Sequence, residues 1–360
     1  MVQNCKFYKE KKQVSYDNGV TFVDVVPAEY RKGELIERDS PDCGYVPPTP
    51  PASGQYLTFV AIDSGTFSFS GSSSGSVNNS SIQYSLDSGS SWNTLNRNTQ
   101  SPTVSAGQKI MWKESLTPIP YYGGVGVFSS TGRFNIEGNI MSLLYSDNFI
   151  GQTSIVDKKY VFSCMFSDNR NVINTNKLVL PSTNLSGATN CYFRMFSGCT
   201  SLTTAPELPA TSLAGSCYVN MFDGCSSLTT APALPATTLA RQCYSHMFNG
   251  CTSLTTAPEL PATTLEYHCY WLMFYNCTSL TTAPVLSATT LVEGCYTGMF
   301  RNCSSLNYIK CLATNISATD CTSVWLEDVS SSGTFVKASS MSSWPTGENG
   351  IPSGWTVTNA

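Results

Sequence analysis

The chain has 360 residues, of which 41% are hydrophobic and 12% charged, and its formal net charge is -4. That length allows two or three domains, and the sparse charge offers no basic face for nucleic acid or anionic lipid. Abundant Ser, Thr, Asn and Gly beside so few charges argue for a β-rich or stacked-repeat protein and against a coiled coil or a disordered chain.

Residues 1–45 read as an N-terminal attachment module. Lys6, Lys9, Lys11 and Lys12 supply positive charge, but no apolar run of signal-peptide length follows. No stretch approaches ~18 consecutive apolar residues either, so the expectation is a chain that neither takes the usual export route nor inserts into a membrane. Ser15, Asp17, Gly19, Thr21 and Phe22 set an Asp-Asn-Gly turn between apolar flanks, a strong hairpin signal. From Glu29 to Ser40 runs the most charged segment, with Tyr30, Arg31, Lys32, Glu34 and Arg38 as candidate docking residues. Residues 46–53 are proline-rich and predict a stiff, extended linker.

Short runs at 56–61, 66–70, 81–85, 109–112, 126–128 and 133–136, punctuated by Gly, Ser and Asn, predict a small β-sandwich over 54–150. Inside it, Ser85, Asp87, Gly89, Ser91 and Trp92 repeat the spacing of Ser15 to Phe22. Both stretches resemble the Asp-box of sialidases and other carbohydrate-handling proteins, a hairpin motif whose Asp satisfies turn amides. Neither brings an Arg cluster and a nucleophile, so the role predicted for Asp17 and Asp87 is structural.

From Cys191 a 26-residue unit dominates. Five copies begin at Cys191, Cys217, Cys243, Cys269 and Cys295 and fill 191–320. A degenerate capping copy precedes them at 151–190, marked by Cys164, Met165 and Phe166. A C-terminal cap follows at 321–360, with Trp325, Trp344 and Trp355 as its core. In the second copy Leu213, Cys217 and Met221 fall at i, i+4 and i+8, with Ala214, Tyr218 and Phe222 in the adjoining row. That spacing predicts a short amphipathic helix capped by Ser212 and stopped at Gly224, where other copies carry Gly198, Gly250, Asn276 or Asn302. The Thr pair and Pro232 after Leu228 predict an extended return rung.

The cysteines form two ladders, one through Cys191 and Cys217, the other through Cys199 and Cys225. Eight residues of helix separate the ladders by about 12 Å, too far for a disulfide within a unit. With no Cys-x-x-Cys or Cys/His pair at zinc spacing, they read as packed small hydrophobes, disulfides being the alternative. His246 and His268, the two histidines, sit at variable positions, and no phosphate loop or Ser-His-Asp order occurs. The expectation is a protein without catalytic residues, metal or cofactor.

A ligand would meet the positions that differ between copies. In the fourth copy Tyr267, Trp271 and Tyr275 stand at i, i+4 and i+8, an aromatic stripe on a face that is polar in neighbouring copies. With Leu272, Arg241 and Arg301 they are the candidate ligand-binding residues, suited to sugar rings or a protein hot spot. The alternatives are a buried contact with another domain or subunit, and a plain exposed patch.

The words Met-Phe-x-Gly/Asn-Cys-Thr/Ser-Ser-Leu and Leu-Pro-Ala-Thr-Thr-Leu, over about 160–320, resemble the BspA-like leucine-rich repeats of gut and oral Bacteroidales and their phages. Residues 6–45 are similar to an N-terminal module of phage tail or virion proteins of the same hosts. The resemblance implies a mixed α+β fold: hairpin module, small β-sandwich, then a short-helix/extended-rung leucine-rich-repeat solenoid with a C-terminal cap. It also implies a non-enzymatic virion protein, of tail, fibre or capsid surface. Residues 1–53 would hold other virion proteins and the repeats a host cell-surface glycan or protein, without nucleic acid or membrane insertion. Homo-oligomerisation stays open. A bacterial cell-surface adhesin is the alternative, and a purely structural virion decoration the third reading.

Overall fold

The computed structural model describes residues 6–8, 13–15, 22–24, 55–71, 73–74, 77–118 and 124–360. The chain divides into two compact units, 1–50 and 51–360. In the first, β1 (Lys6–Tyr8), β2 (Gln13–Ser15) and β3 (Phe22–Asp24) form an antiparallel meander, with Phe7 opposite Val14 and Val14 opposite Val23. The turn residues Asp17 and Gly19, the docking candidates Tyr30, Arg31, Lys32, Glu34 and Arg38, and the linker before Gln55 lie outside the described residues.

The second unit opens with a sheet of six strands. They are β4 (Leu57–Ala61), β8 (Ser81–Ser85), β9 (Asn93–Asn96), β10 (Lys109–Lys113), β12 (Phe134–Asn139) and β13 (Val172–Val179), in the order β13-β12-β4-β10-β8-β9. A two-stranded sheet, β5 (Phe67–Phe69) with β11 (Phe128–Ser130), lies against it, and β6 (Ser73–Ser74) pairs with β7 (Val77–Asn78). Alternation sends Phe59, Trp112 and Phe134 from the large sheet and Phe67, Phe69 and Phe128 from the small one into a common aromatic core. Phe59 centres it, 5.0 Å from Phe128, 4.9 Å from Phe134 and 5.4 Å from Trp112. All pairs in the large sheet are antiparallel except β12 with β13, and β13 belongs to residues 151–190. Sheet and repeats are thus built on one shared strand pair.

The mixed α+β, leucine-rich-repeat solenoid with short helices is overturned. Strand accounts for 24% and helix for 2%, and the strands fall into several sheets that do not close into a solenoid. Among the described residues the α-helix is α1 (Ser142–Tyr145), which lies outside the five copies. Where helices were expected, the chain makes overlapping turns. In the first copy the amides of Phe193, Met195, Ser197 and Cys199 donate three residues back, to Asn190, Tyr192, Arg194 and Phe196. The alternate amides of Tyr192, Arg194, Phe196 and Gly198 donate sideways, to Cys217, Val219, Met221 and Asp223 of the next copy, at 2.7–3.0 Å. Every fourth residue is left-handed, with φ of 57° at Asn190, 53° at Arg194 and 75° at Gly198. An α-helix admits neither that φ nor bonds leaving the segment.

The return segments run alongside their neighbours through single parallel bridges, Thr204 to Thr230 to Thr256 and Ser212 to Thr238 to Thr264. Inside, equivalent rings stack. Phe166, Phe196, Phe222, Phe248, Phe274 and Phe300 form one column at 5.3–5.8 Å. Tyr192, Tyr218, Tyr244, Tyr270 and Tyr296 form another at 5.5–6.1 Å. The tyrosine column ends on Trp325, which stacks on Trp344 at 5.5 Å and packs on Phe335. There β14 (Tyr308–Cys311), β15 (Gly333–Lys337) and β16 (Trp355–Asn359) close the stack as a parallel sheet. Every described cysteine is free, and all but Cys164 are buried.

Candidate binding face on the fourth repeat

The four-residue rhythm of the turns decides which side chains reach the surface. The first, second, fifth, sixth and ninth positions of a unit, such as Cys269, Tyr270, Met273, Phe274 and Cys277, point inward and are buried. The third, fourth and seventh lie on the outer side, where the small Ser197, Ser245 and Gly298 are covered by their neighbours and most of the others are at least partly exposed. Stacked in register, these give the rows Val219, Ser245, Trp271, Thr297 and Asn220, His246, Leu272, Gly298 and Asp223, Asn249, Tyr275, Arg301. The period of four, not helical geometry, puts Tyr267, Trp271 and Tyr275 on one side.

The structure brings most of the candidates together. Tyr267, Trp271, Leu272, Tyr275 and Arg301 are half-buried, and Arg241 is exposed. The Arg241 guanidinium lies 4.5 Å from the centre of the Tyr267 ring. Tyr267 stacks flat on His268 at 3.9 Å, and His268 meets Trp271 at 4.9 Å. His246 of the third copy approaches the same indole edge-on at 4.8 Å. At the far end Arg301 stands 6.0 Å from the Tyr275 ring and forms an ion pair with Glu327 at 2.6 Å. The expected flat stripe is therefore a plate of interlocked rings and cations reaching from Arg241 at the end of the second copy to Arg301 in the fifth.

Two glycines flanking the start of the fifth copy make room for the plate. Gly294 and Gly298 are left-handed, and a Cβ on them would collide with the His268 imidazole and with Leu272 Cδ2. Sequence reasoning missed this complementarity and the part played by both histidines. Aligning the units in register carried the signal: His268 and Leu272 precede Gly294 and Gly298 by one 26-residue period.

Electrostatically the face is quiet. Burial pushes both imidazoles below their ordinary pKa; at His268 Arg241 adds to this, against Glu293 and Asp320. Burial likewise pushes the Asp223 carboxyl up, against a hydrogen bond from Asn220 and the charge of Arg194. Ser245 Oγ lies 2.9 Å from His246 Nδ1, a contact that orients the ring. Among the described residues no group of three or more His, Cys, Asp or Glu converges as a metal site would. A shallow groove lined by Pro206, Glu207, Pro209, Pro232 and Pro235 sits on the first two return segments and includes no candidate residue.

The chain matches no family model, no curated protein and no solved structure. The candidate residues therefore stand on geometry alone. Among the described residues no helix is long and apolar enough to cross a membrane.

The Asp-box at Ser85 shows what its carboxylate does. Asp87 accepts from the Ser91 amide at 2.9 Å, from Ser91 Oγ at 2.5 Å and from Ser85 Oγ at 2.7 Å, which hold it well below the usual carboxylate range. Ser85 Oγ in turn accepts the Gly89 amide at 2.8 Å. Trp92 packs on Tyr56 at 4.9 Å and beneath Lys113 Nζ, which is bound by both oxygens of Asp147 at 2.7 and 2.8 Å. The acceptors of Asp87 are spent on its own turn.

Proposed function

We propose that this is a non-enzymatic, virion-associated binding protein, of a tail, fibre or capsid surface. Its repeat stack presents the plate around Trp271 to a host cell-surface glycan or protein, while residues 1–53 hold other virion proteins. One observation carries the reading. The interior repeats the same rings, thiols and hydrogen bonds from copy to copy, whereas the outer rows vary and bring Tyr267, His268, Trp271, Leu272 and Tyr275 together where the third and fourth copies join. A rigid presenter with a variable surface is the economy of a repeat-based binder, and half-buried aromatics ringed by polar groups are what sugars and protein hot spots use. The wording shared with BspA-like repeats and the likeness of 6–45 to virion modules point the same way.

The test is attachment of labelled full-length protein to intact cells of Bacteroidales hosts, before and after the cell surface is oxidised with periodate or shaved with protease. Attachment to untreated cells is expected, and the treatment that abolishes it names a glycan or a protein ligand. Absence of attachment to any host would contradict the proposal and favour a decorative role.

A further inference from the structure

The chain has two histidines, and both converge on one indole. His246 meets Trp271 edge-on at 4.8 Å, and His268 meets it at 4.9 Å with the ring planes 50° apart. The half-buried His268 lies flat against Tyr267 at 3.9 Å, over the vacant Cβ position of Gly294, on a left-handed backbone with φ of 51°. Its Nδ1 is buried and has no hydrogen-bond partner among the described residues. His246 is half-buried, with its Nδ1 against the Oγ of Ser245, itself only 2% exposed. Such packing suits neutral imidazoles. A proton added to His268 Nδ1 would be a buried donor with nothing among the described residues to accept it, and burial penalises the charged form of both rings.

We propose that His246 and His268 form a proton-operated latch on Trp271: neutral, they clamp the indole into the plate; protonated, they release it. For its biological use, holding a ligand at neutral pH and letting go in acid, the latch rests on the binding function proposed above; its chemistry does not. The charged groups facing His268 are Glu293 and Asp320, which favour the cation, and Arg241, which opposes it; burial outweighs the carboxylates. At His246 burial acts alone. Both rings therefore titrate below the ordinary value of about 6.5 in the folded plate and near it when released. Their contribution to the closed plate is complete above about pH 6.5 and is lost as the pH falls below it.

Tryptophan fluorescence of the full chain, titrated from about pH 8 to about pH 5, tests the latch without any ligand. Wild type is expected to show an emission transition centred below about pH 6.5 that disappears in Trp271→Phe and in the His246→Gln/His268→Gln double variant, with the far-ultraviolet circular dichroism unchanged throughout. A flat wild-type titration, or a transition that survives in either variant, overturns the proposal. Because Trp271→Phe leaves both histidines in place, a transition that survives in it overturns the proposal even if the double variant does not fold. Attachment to host cells measured at the two ends of the titration keeps the questions separate: failure to attach at either pH counts against the binding function, whereas the emission transition alone decides the latch.

Discussion

Cysteine at the ninth position of each unit is chosen for size and for one weak donor. Cys225 Sγ donates to Phe196 O at 3.2 Å, the carbonyl that also accepts the Cys199 amide at 3.0 Å. Cys199, Cys251, Cys277 and Cys303 make the same thiol bond at 3.0–3.1 Å or, for Cys251, 3.2 Å. The ladder was legible in the sequence as small, buried hydrophobes, but the donor was not, because spacing carries no information about a neighbouring unit's carbonyl. Burial pushes these thiols up, Cys303 to about 12, which keeps the donor hydrogen in place at neutral pH. Tyr270 is the opposite case. Its hydroxyl is buried without a partner among the described residues, so Tyr270→Phe is expected to leave stability unchanged or raise it by up to about 1 kcal/mol in urea unfolding. A loss larger than about 1 kcal/mol would mean that the hydroxyl has a partner.

At the scale of the repeat, the apolar rows were legible and the backbone that carries them was not. Cys217, Met221 and Cys225 with Tyr218 and Phe222 satisfy an i, i+4 helical pattern and equally a run of turns with a period of four. A helix turns about 100° per residue, so an unbroken four-residue spacing drifts by about 40° each step. Leu213, Cys217, Met221 and Cys225 keep that spacing for three steps, which favours the turn run. Gly224 likewise reads as a helix stop but is the last of three left-handed positions, after Ser216 and Asn220. Propensity favours glycine or asparagine there for the same reason in both structures, and so could not separate them. Between units the fit is steric. Gly298→Ala places a methyl against Leu272 Cδ2, and overpacking of this kind costs about 1–3 kcal/mol. Leu272→Ala in the same chain should recover the part of the loss due to this clash, while the cost of a side chain at the left-handed φ remains; a double-mutant cycle reads the coupling directly. Additive losses would show that the two residues do not meet.

Across residues 51–360 one column of rings runs from the sandwich into the stack. Phe128 of β11 stacks on Phe166 at 5.8 Å, and Phe166 begins the column that ends at Phe300. The strand signals at 56–61, 81–85 and 109–112 made the sheet legible, whereas the parallel join of β12 to β13 could not be read, since it pairs segments that no turn connects. The aromatic residues of the fourth copy were visible as letters. Their partners were not, because His246, Gly294 and Gly298 belong to adjacent copies and matter only once the register is known. A stack with so uniform an interior has one feature that sets a unit apart, the plate at Trp271. Attachment of Trp271→Ala to host cells, compared with wild type at equal thermal stability and neutral pH, therefore tests the account most directly. The account predicts that the variant folds as wild type does and loses most of its attachment, as removal of an aromatic hot spot of about 2 kcal/mol or more would require; a stable variant that attaches as well as wild type would contradict it.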